Sequence, residues 1–559
     1  MARAVCSALA AALLLGAAPP ERYQIDLSRY FSNSVIETQS RAKLASEAEA
    51  FAASPTPTTV SAMRQWLAEY DKLLRGLERH DIYVYLRAEE DDRDRLDANA
   101  DDHLGELEGR INDRVARAAK ELGPTRIASF TRSSSLQPYR YLLDAGLYRS
   151  AHQLSAADAR TVTTVATPVL DAAAASYKAL RKSSQSVASD QAAYAALLVS
   201  IAAARNGIAR LRRFTGAPEA AYFDRFISAA SVERTLDAIR KSNAYARYQS
   251  VAAHAPQPGY SPPPFSVTAA IPLILAAEQP MGAEYAAAYA ALLDRRSRRL
   301  DICDAPVCDR TGFSVGFAGA ESAVYFGSYN GSVNSVRALA HESGHAVHRQ
   351  FMSLNQPIAA YNAGPAFMFE SFAIFNELLF LDHLYRTAPN STQRAFYLDD
   401  FLNDATFQVF GSAEETDLES AIYRGVAAGT LRTAADFDAL TTKVFTAYDP
   451  AGAQAPDAAL YWARNRLFFT DPLYDVNYMY AGLLALQYFA DLQSDPGSFP
   501  QRYVALLKNG FNDAPAALEK RFLGIDFSNE AGLVANGAAL IDTRTRRLSK
   551  IYSEQTPEK

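Results

Sequence analysis

His341-Glu342-Ser343-Gly344-His345 constrains the fold of this chain more tightly than any other five residues in it. Two imidazoles four positions apart meet on one side only if the backbone between them is an α-helix. On such a helix they can share one metal ion. Glu342, offset by about 100° around the axis, then stands beside the metal rather than on it, which is the place of a general base. Ser332 or Asn334, following the turn at Asn330-Gly331, is the predicted cap of that helix. The chain has 8 histidines, and three of them fall at 341, 345 and 348. His348, seven positions after His341, reads either as a residue behind the metal ligands or as a packing residue.

The ligand types suit zinc, which needs a third protein ligand and an open position for water. The apolar run Gly364–Leu379 contains two carboxylates, Glu370 and Glu377. A buried carboxylate is costly unless it is paired or metal-bound. The two are seven apart and share a helix face. Glu370 is therefore the predicted third ligand. Glu377 is predicted to accept a hydrogen bond from a ligating histidine and fix its tautomer. A salt bridge to an arginine is the alternative for Glu370.

Around this segment the chain reads as mainly α. Ser61–Glu78, Pro138–Tyr148, Thr167–Arg181, Ala192–Ala204 and Gly282–Arg298 carry helical spacing or helix-forming composition. The charged stretch Ala88–Glu106 reads as a solvated helix face or a loop. Phe313–Phe317 and Ala323–Phe326 are short, aromatic and β-branched, and glycines punctuate them. They predict one or two strands beside the histidine helix.

A length of 559 residues predicts more than one lobe. The expected division is 1–18 as a signal peptide, 19–205 as an N-terminal helical lobe and 206–559 as a catalytic region. Met1–Ala18 has one arginine, then a short apolar run ending in small residues, which is the layout of an export signal. Export to the periplasm or the extracellular space is the expected localisation. In that compartment Cys303 and Cys308 read as a small disulfide loop, with two free thiols as the alternative. No later stretch reads as a transmembrane helix, so no stable membrane insertion is expected. The formal net charge of -6 gives no basic footprint for nucleic acid.

The segment Tyr325–His348, with Phe369-Glu370 and Phe375-Asn376-Glu377, resembles the zinc oligopeptidases typified by thimet oligopeptidase and oligoendopeptidase F. The gap from His345 to Glu370 is similar to that family's gap between second histidine and ligand glutamate. The resemblance implies a two-lobed helical ellipsoid around a deep substrate channel, one zinc ion, and short unstructured peptides as substrates. It also implies that Ala323–Ser328 is an edge strand that pairs with the substrate backbone. Asp471–Gly482 is tyrosine-rich, and Tyr474 and Tyr478 reproduce a family Tyr-x3-Tyr spacing. Tyr474, Tyr478 and Tyr480 are thus candidate oxyanion donors, with core packing as the alternative for each. The family's preceding histidine is absent; Phe468 and Phe469 stand there. Arg464 and Arg466 are candidate nearby cations. The expected activity is endopeptidase cleavage. The alternatives are a zinc carboxypeptidase or dipeptidyl carboxypeptidase, and an inactive peptide-binding protein with the same shell.

Overall fold

The structure is a computed structural model that describes residues 23–90, 100–183, 186–256, 259–302, 311–327 and 329–555. The signal-like segment 1–18, the Cys303 and Cys308 pair, and Ser328 lie outside the described residues.

Near the start of the described chain stand α1 (Ser34–Ala53), α2 (Val60–Glu90), α3 (Ala100–Phe130) and α4 (Arg140–Ser150). Asn33 caps α1 by accepting from the Ile36 N–H. Leu67, Leu74, Leu104, Ile111, Val115 and Leu143 bury the facing stripes of these helices in one core. Ala318 and Ala359 join that core from the other half of the chain. Asp71 on α2 accepts from the Ala359 N–H, and Arg75 donates to the Pro357 carbonyl. The N-terminal helices are therefore fastened directly to the segment that links the two metal-facing helices described below.

The helix α5 (Gln191–Leu211) corrects one expectation. By length and composition, with mean hydropathy 1.4, it is apolar enough to cross a membrane. In the fold its Tyr194, Leu198 and Ile201 are buried with Leu418, Phe437 and Trp462. The described residues before 205 are thus shared among four cores. Next comes the short α6 (Ala217–Asp224). The predicted helix start at Thr167 lies inside a helical stretch that opens at Ala156, where Ser155 supplies the cap.

Three strands, β1 (Leu300–Ile302), β2 (Gly312–Val315) and β3 (Ala323–Phe326), form one sheet in the order β1-β3-β2. β3 runs parallel to β1, with Leu300 opposite Val324, and antiparallel to β2, with Phe313 opposite Tyr325. The expectation that Ala323–Ser328 is an edge strand is corrected here. All four β3 residues are buried, and a continuous apolar run belongs in the middle of a sheet. The edge that faces the site is β2.

Behind the sheet lie α7 (Val333–Asn355) and α8 (Ala366–Thr387), followed by α9 (Ser391–Thr406), α10 (Ser412–Ala428) and α11 (Asp475–Ser494). Ser332 is the cap of α7, accepting from the Ser335 N–H. α8 is apolar all round and packs against α7, α9 and α11. Phe372, Phe375 and Leu378 are fully buried, each worth about 1.5–3 kcal/mol relative to exposure. Gly344 sets how closely α7 and α8 approach. A Cβ there would lie 2.6 Å from Asn376 Nδ2 and 3.2 Å from the Ala373 backbone. The class is mainly α with a small sheet beside the histidine helix, as the sequence predicts.

Candidate metal centre

The i, i+4 spacing on α7 brings the His341 and His345 rings to 4.7 Å between centroids, nearly perpendicular to one another. α8 delivers Glu370 between them. Its Oε2 lies 3.4 Å from His341 Nε2 and 3.5 Å from His345 Nε2. One ligand atom from each of the three residues lies within 4.8 Å of the others. Glu370 Oε2 is buried and has no hydrogen-bond donor among the described residues. Its other oxygen, Oε1, accepts from the Tyr474 hydroxyl at 2.6 Å. Burial pushes the Glu370 carboxyl up, but the two imidazoles outweigh it and hold the group ionised well below the usual carboxylate range.

Glu377, two helical turns beyond Glu370, stands 2.6 Å from His341 Nδ1. A carboxylate there accepts from Nδ1, so Nε2 is the nitrogen turned toward Glu370. The second Glu377 oxygen is 3.3 Å from Arg337 Nε, and Arg337 also reaches Asp404 at 3.1 Å. Burial works against a charged His341, whereas Glu370 and Glu377 raise its pKa well above the ordinary value.

A cleft of about 690 Å³ opens onto this group, with Glu342 in its wall. Tyr474 and Tyr478 line it together, in edge contact at 5.3 Å. Burial, then the Glu370 charge, pushes both hydroxyls up, so both remain protonated donors. Tyr480 is not brought to the site. The tyrosines 474 and 478 are one turn apart, whereas position 480 points to the far side of α11. There its hydroxyl meets Thr235 Oγ1 at 3.1 Å and its ring stacks on Phe527. Phe468 and Phe469 are buried, the latter stacked on Tyr177. Arg464 and Arg466 are engaged with Asp457 and Asp471 on the surface.

The cation in the cleft is Arg349, which the sequence reading missed. It lies four residues beyond His345, on the same helix face, and its guanidinium sits 4.9 Å from the Phe369 ring centroid. Its Nε donates to Ser314 Oγ on β2 at 3.1 Å. His348 takes the packing alternative. Phe369, Phe372 and Phe511 surround it, and burial pulls its pKa well below the ordinary value. Opposite α7, α2 contributes Glu78 and Asp81 to the cleft. Burial, followed by Glu108 for the first and Asp101 for the second, pushes each carboxyl up to about 8. No spacing in the sequence links these residues to position 341. A second cavity of about 700 Å³ between the N-terminal helices and the α7–α8 link shares Glu78, Ala363 and Gly364 with the first as common wall.

The model for peptidase family M3 matches residues 310–538, which contain β2, β3, α7, α8 and α11. Over that segment the chain is similar to peptidase family M3. An oligoendopeptidase F homolog of Lactococcus lactis is 24% identical to this chain over 225 residues, 40% of this chain. The match spans 37% of that relative's own length. Among solved structures, a candidate peptidase from Chlamydophila abortus is similar with a TM-score of 0.74 at 18% identity, covering 94% of this chain and 98% of its own. Oligoendopeptidase-F from Enterococcus faecium is similar with a TM-score of 0.64 at 16% identity, covering 92% and 99%. These likenesses extend the shared fold well beyond residues 310–538, into the helices that precede them.

Proposed function

We propose that this chain is a zinc-dependent oligopeptidase that hydrolyses internal bonds of short unstructured peptides. The observation that carries the reading is the unpartnered, buried Oε2 of Glu370 beside two imidazole nitrogens. An ionised oxygen in that position is costly unless a cation completes it. One carboxylate and two imidazoles are a donor set that suits zinc. His341, His345 and Glu370 would hold the ion, and Glu377 would orient His341.

A bound zinc ion would supply Lewis acidity toward water and the scissile carbonyl. Glu342 takes the proton of the attacking water and hands it to the leaving amine. Tyr478 donates a hydrogen bond to the oxyanion, and Tyr474 does so by turning its single O–H away from Glu370 Oε1; one such donor is worth on the order of 3 kcal/mol. β2, the edge strand in the cleft wall, offers its backbone to an extended peptide. The cleft between the N-terminal helices and α7–α8 favours short, unfolded chains. The 1–18 segment directs export, residues 19–205 precede the catalytic region 206–559, and Cys303 pairs with Cys308. Signal-like patterning supports the first of these assignments and cysteine spacing the last; N-terminal sequencing and thiol labelling of the unreduced protein test those two, and limited proteolysis tests the division at 205.

The deciding experiment combines a zinc assay with a quenched fluorescent peptide whose C-terminus is amidated. One zinc per chain and internal cleavage are expected. Glu370→Ala should lose the zinc on dialysis. Cleavage only at free C-termini would replace the reading with the carboxypeptidase one. Zinc without any cleavage would favour a silent peptide binder.

A further inference from the structure

Tyr474 follows a residue in an unusual conformation. Leu473 has φ 65°, the left-handed region that a branched side chain rarely occupies. Such a conformation persists only where its surroundings impose it. Three contacts do so here. The Leu473 side chain is buried among Ala202, Phe214 and Tyr423. Its N–H donates to Glu419 Oε1 at 2.8 Å. Its carbonyl accepts from an Arg225 terminal nitrogen at 3.0 Å.

Arg225 does more than hold that carbonyl. Its Nε donates to Asn477 Oδ1 at 2.8 Å, and its other terminal nitrogen donates to the Ala221 carbonyl at 2.7 Å. Asn477 in turn donates to the Tyr474 carbonyl from both its backbone N–H and its side-chain amide, each at 2.8 Å. The tyrosine is therefore gripped on both sides, by the turn before it and by the first turn of α11 after it. Its hydroxyl ends 2.6 Å from Glu370. Arg225 caps α6, outside the 310–538 segment, while Glu419 comes from α10 within it.

We infer that Arg225 and Glu419 are positioning residues: they clamp the left-handed Leu473 turn and so aim the Tyr474 hydroxyl at the metal centre. The inference rests on the reading of Tyr474 as an oxyanion donor. It makes a segment preceding residues 310–538 part of the catalytic apparatus. The guanidinium fork matters, because three donations in three directions exceed what one ammonium can copy. Glu419 acts as an acceptor. Burial and Asp475 raise its pKa, and a neutral amide would serve the same N–H.

The test is a double-mutant cycle of Arg225→Met with Tyr474→Phe on the zinc-loaded full chain. Arg225→Met alone should lower kcat about 10- to 100-fold, as displacement of a catalytic group by about 1 Å does. KM and zinc stoichiometry should hold. In the Tyr474→Phe background the same substitution should change kcat less than about 2-fold, because the group it aims is gone. Additive losses would overturn the inference. Arg225→Lys should behave like Arg225→Met; full activity in the lysine variant would replace the clamp with a simple charge effect. Glu419→Gln should retain kcat and Glu419→Met should lose it; equal losses would sink the acceptor role. Hydrogen exchange over 471–478 reads the turn without any catalysis. It should accelerate in Arg225→Met and Arg225→Lys, and unchanged protection in both would overturn the clamp. Wild-type kcat in Tyr474→Phe itself would instead remove the oxyanion reading, leaving the exchange result to judge the clamp.

Discussion

The two halves of the candidate site are built by different means. The histidine–glutamate half stands on two regular helices, α7 and α8, and its geometry follows from helical spacing plus one close approach at Gly344. The tyrosine half stands on a left-handed turn, with contacts drawn from α6, α10 and α11. A helix holds its side chains by local hydrogen bonds that form wherever the helix forms. A strained turn holds its side chains only while the rest of the protein is assembled around it. Metal binding should therefore be robust to changes in the tyrosine half, and turnover should not be.

The largest expected effect separates chemistry from metal binding inside the first half. Glu342→Gln should lower kcat by about 10²–10⁴-fold, the range for a general acid–base group, with zinc content unchanged. Peptidase activity near wild type in that variant would break the mechanism.

A smaller effect is expected one layer out. Glu377→Gln weakens the acceptor at His341 Nδ1, and the expected loss is about 10- to 100-fold in zinc affinity, measured by competition with a chelator. No loss would mean that His341 is oriented by α7 alone.

Gly344→Ala tests the approach of the two helices. A methyl group 2.6 Å from Asn376 Nδ2 must push α8 away from α7. The expected outcome is about 1–3 kcal/mol of lost stability by denaturant unfolding, with weakened zinc binding. Equal stability and zinc affinity would show that the spacing has slack.

The smallest effect concerns a buried carboxyl outside both halves. Glu278 is fully buried, and neither of its oxygens has a hydrogen-bond partner among the described residues. Burial raises its pKa well above 4.5. The folded state therefore holds this proton longer than the unfolded chain does. The stability tied to it is complete below about pH 4.5 and is lost as pH rises toward the folded value. Glu278→Gln should flatten that loss, raising Tm at alkaline pH and leaving it unchanged near pH 4. Parallel Tm–pH curves for both proteins would refute the assignment. The contrast with Glu370 shows that burial alone does not fix the charge of a carboxyl. Glu370 is held ionised by imidazoles, whereas Glu278 is kept protonated by the lack of any such partner.

Much of the first half was legible in the sequence. His341, Glu342 and His345 share one short helical segment, and the two carboxylates at 370 and 377 stand out in an apolar run. A cap at Ser332 or Asn334 and the strands at 313–317 and 323–326 were legible for the same reason, since each is written in consecutive residues; β1 was not read. Strand order was not. Ala323–Phe326 reads as an edge, and the presence of β1 on its other side makes it the central strand. The assignment of three tyrosines was trimmed to two because the α11 rotation carries Tyr480 toward Thr235 and Phe527.

The sequence by itself determined the helical class, the placing of His341, Glu342 and His345 on one helix, and the choice of Glu370 as the carboxylate brought to them. Those features depend on spacing along one helix or on the cost of burying a charge, both of which are local. Only the tertiary structure decided which strand faces the cleft, that Arg349, Glu78 and Asp81 line it, and that Arg225 reaches the Leu473 carbonyl across 248 positions of chain. Those features depend on which surfaces the packed helices bring together. A pattern of residue spacing within one element carries no information about a partner supplied by another.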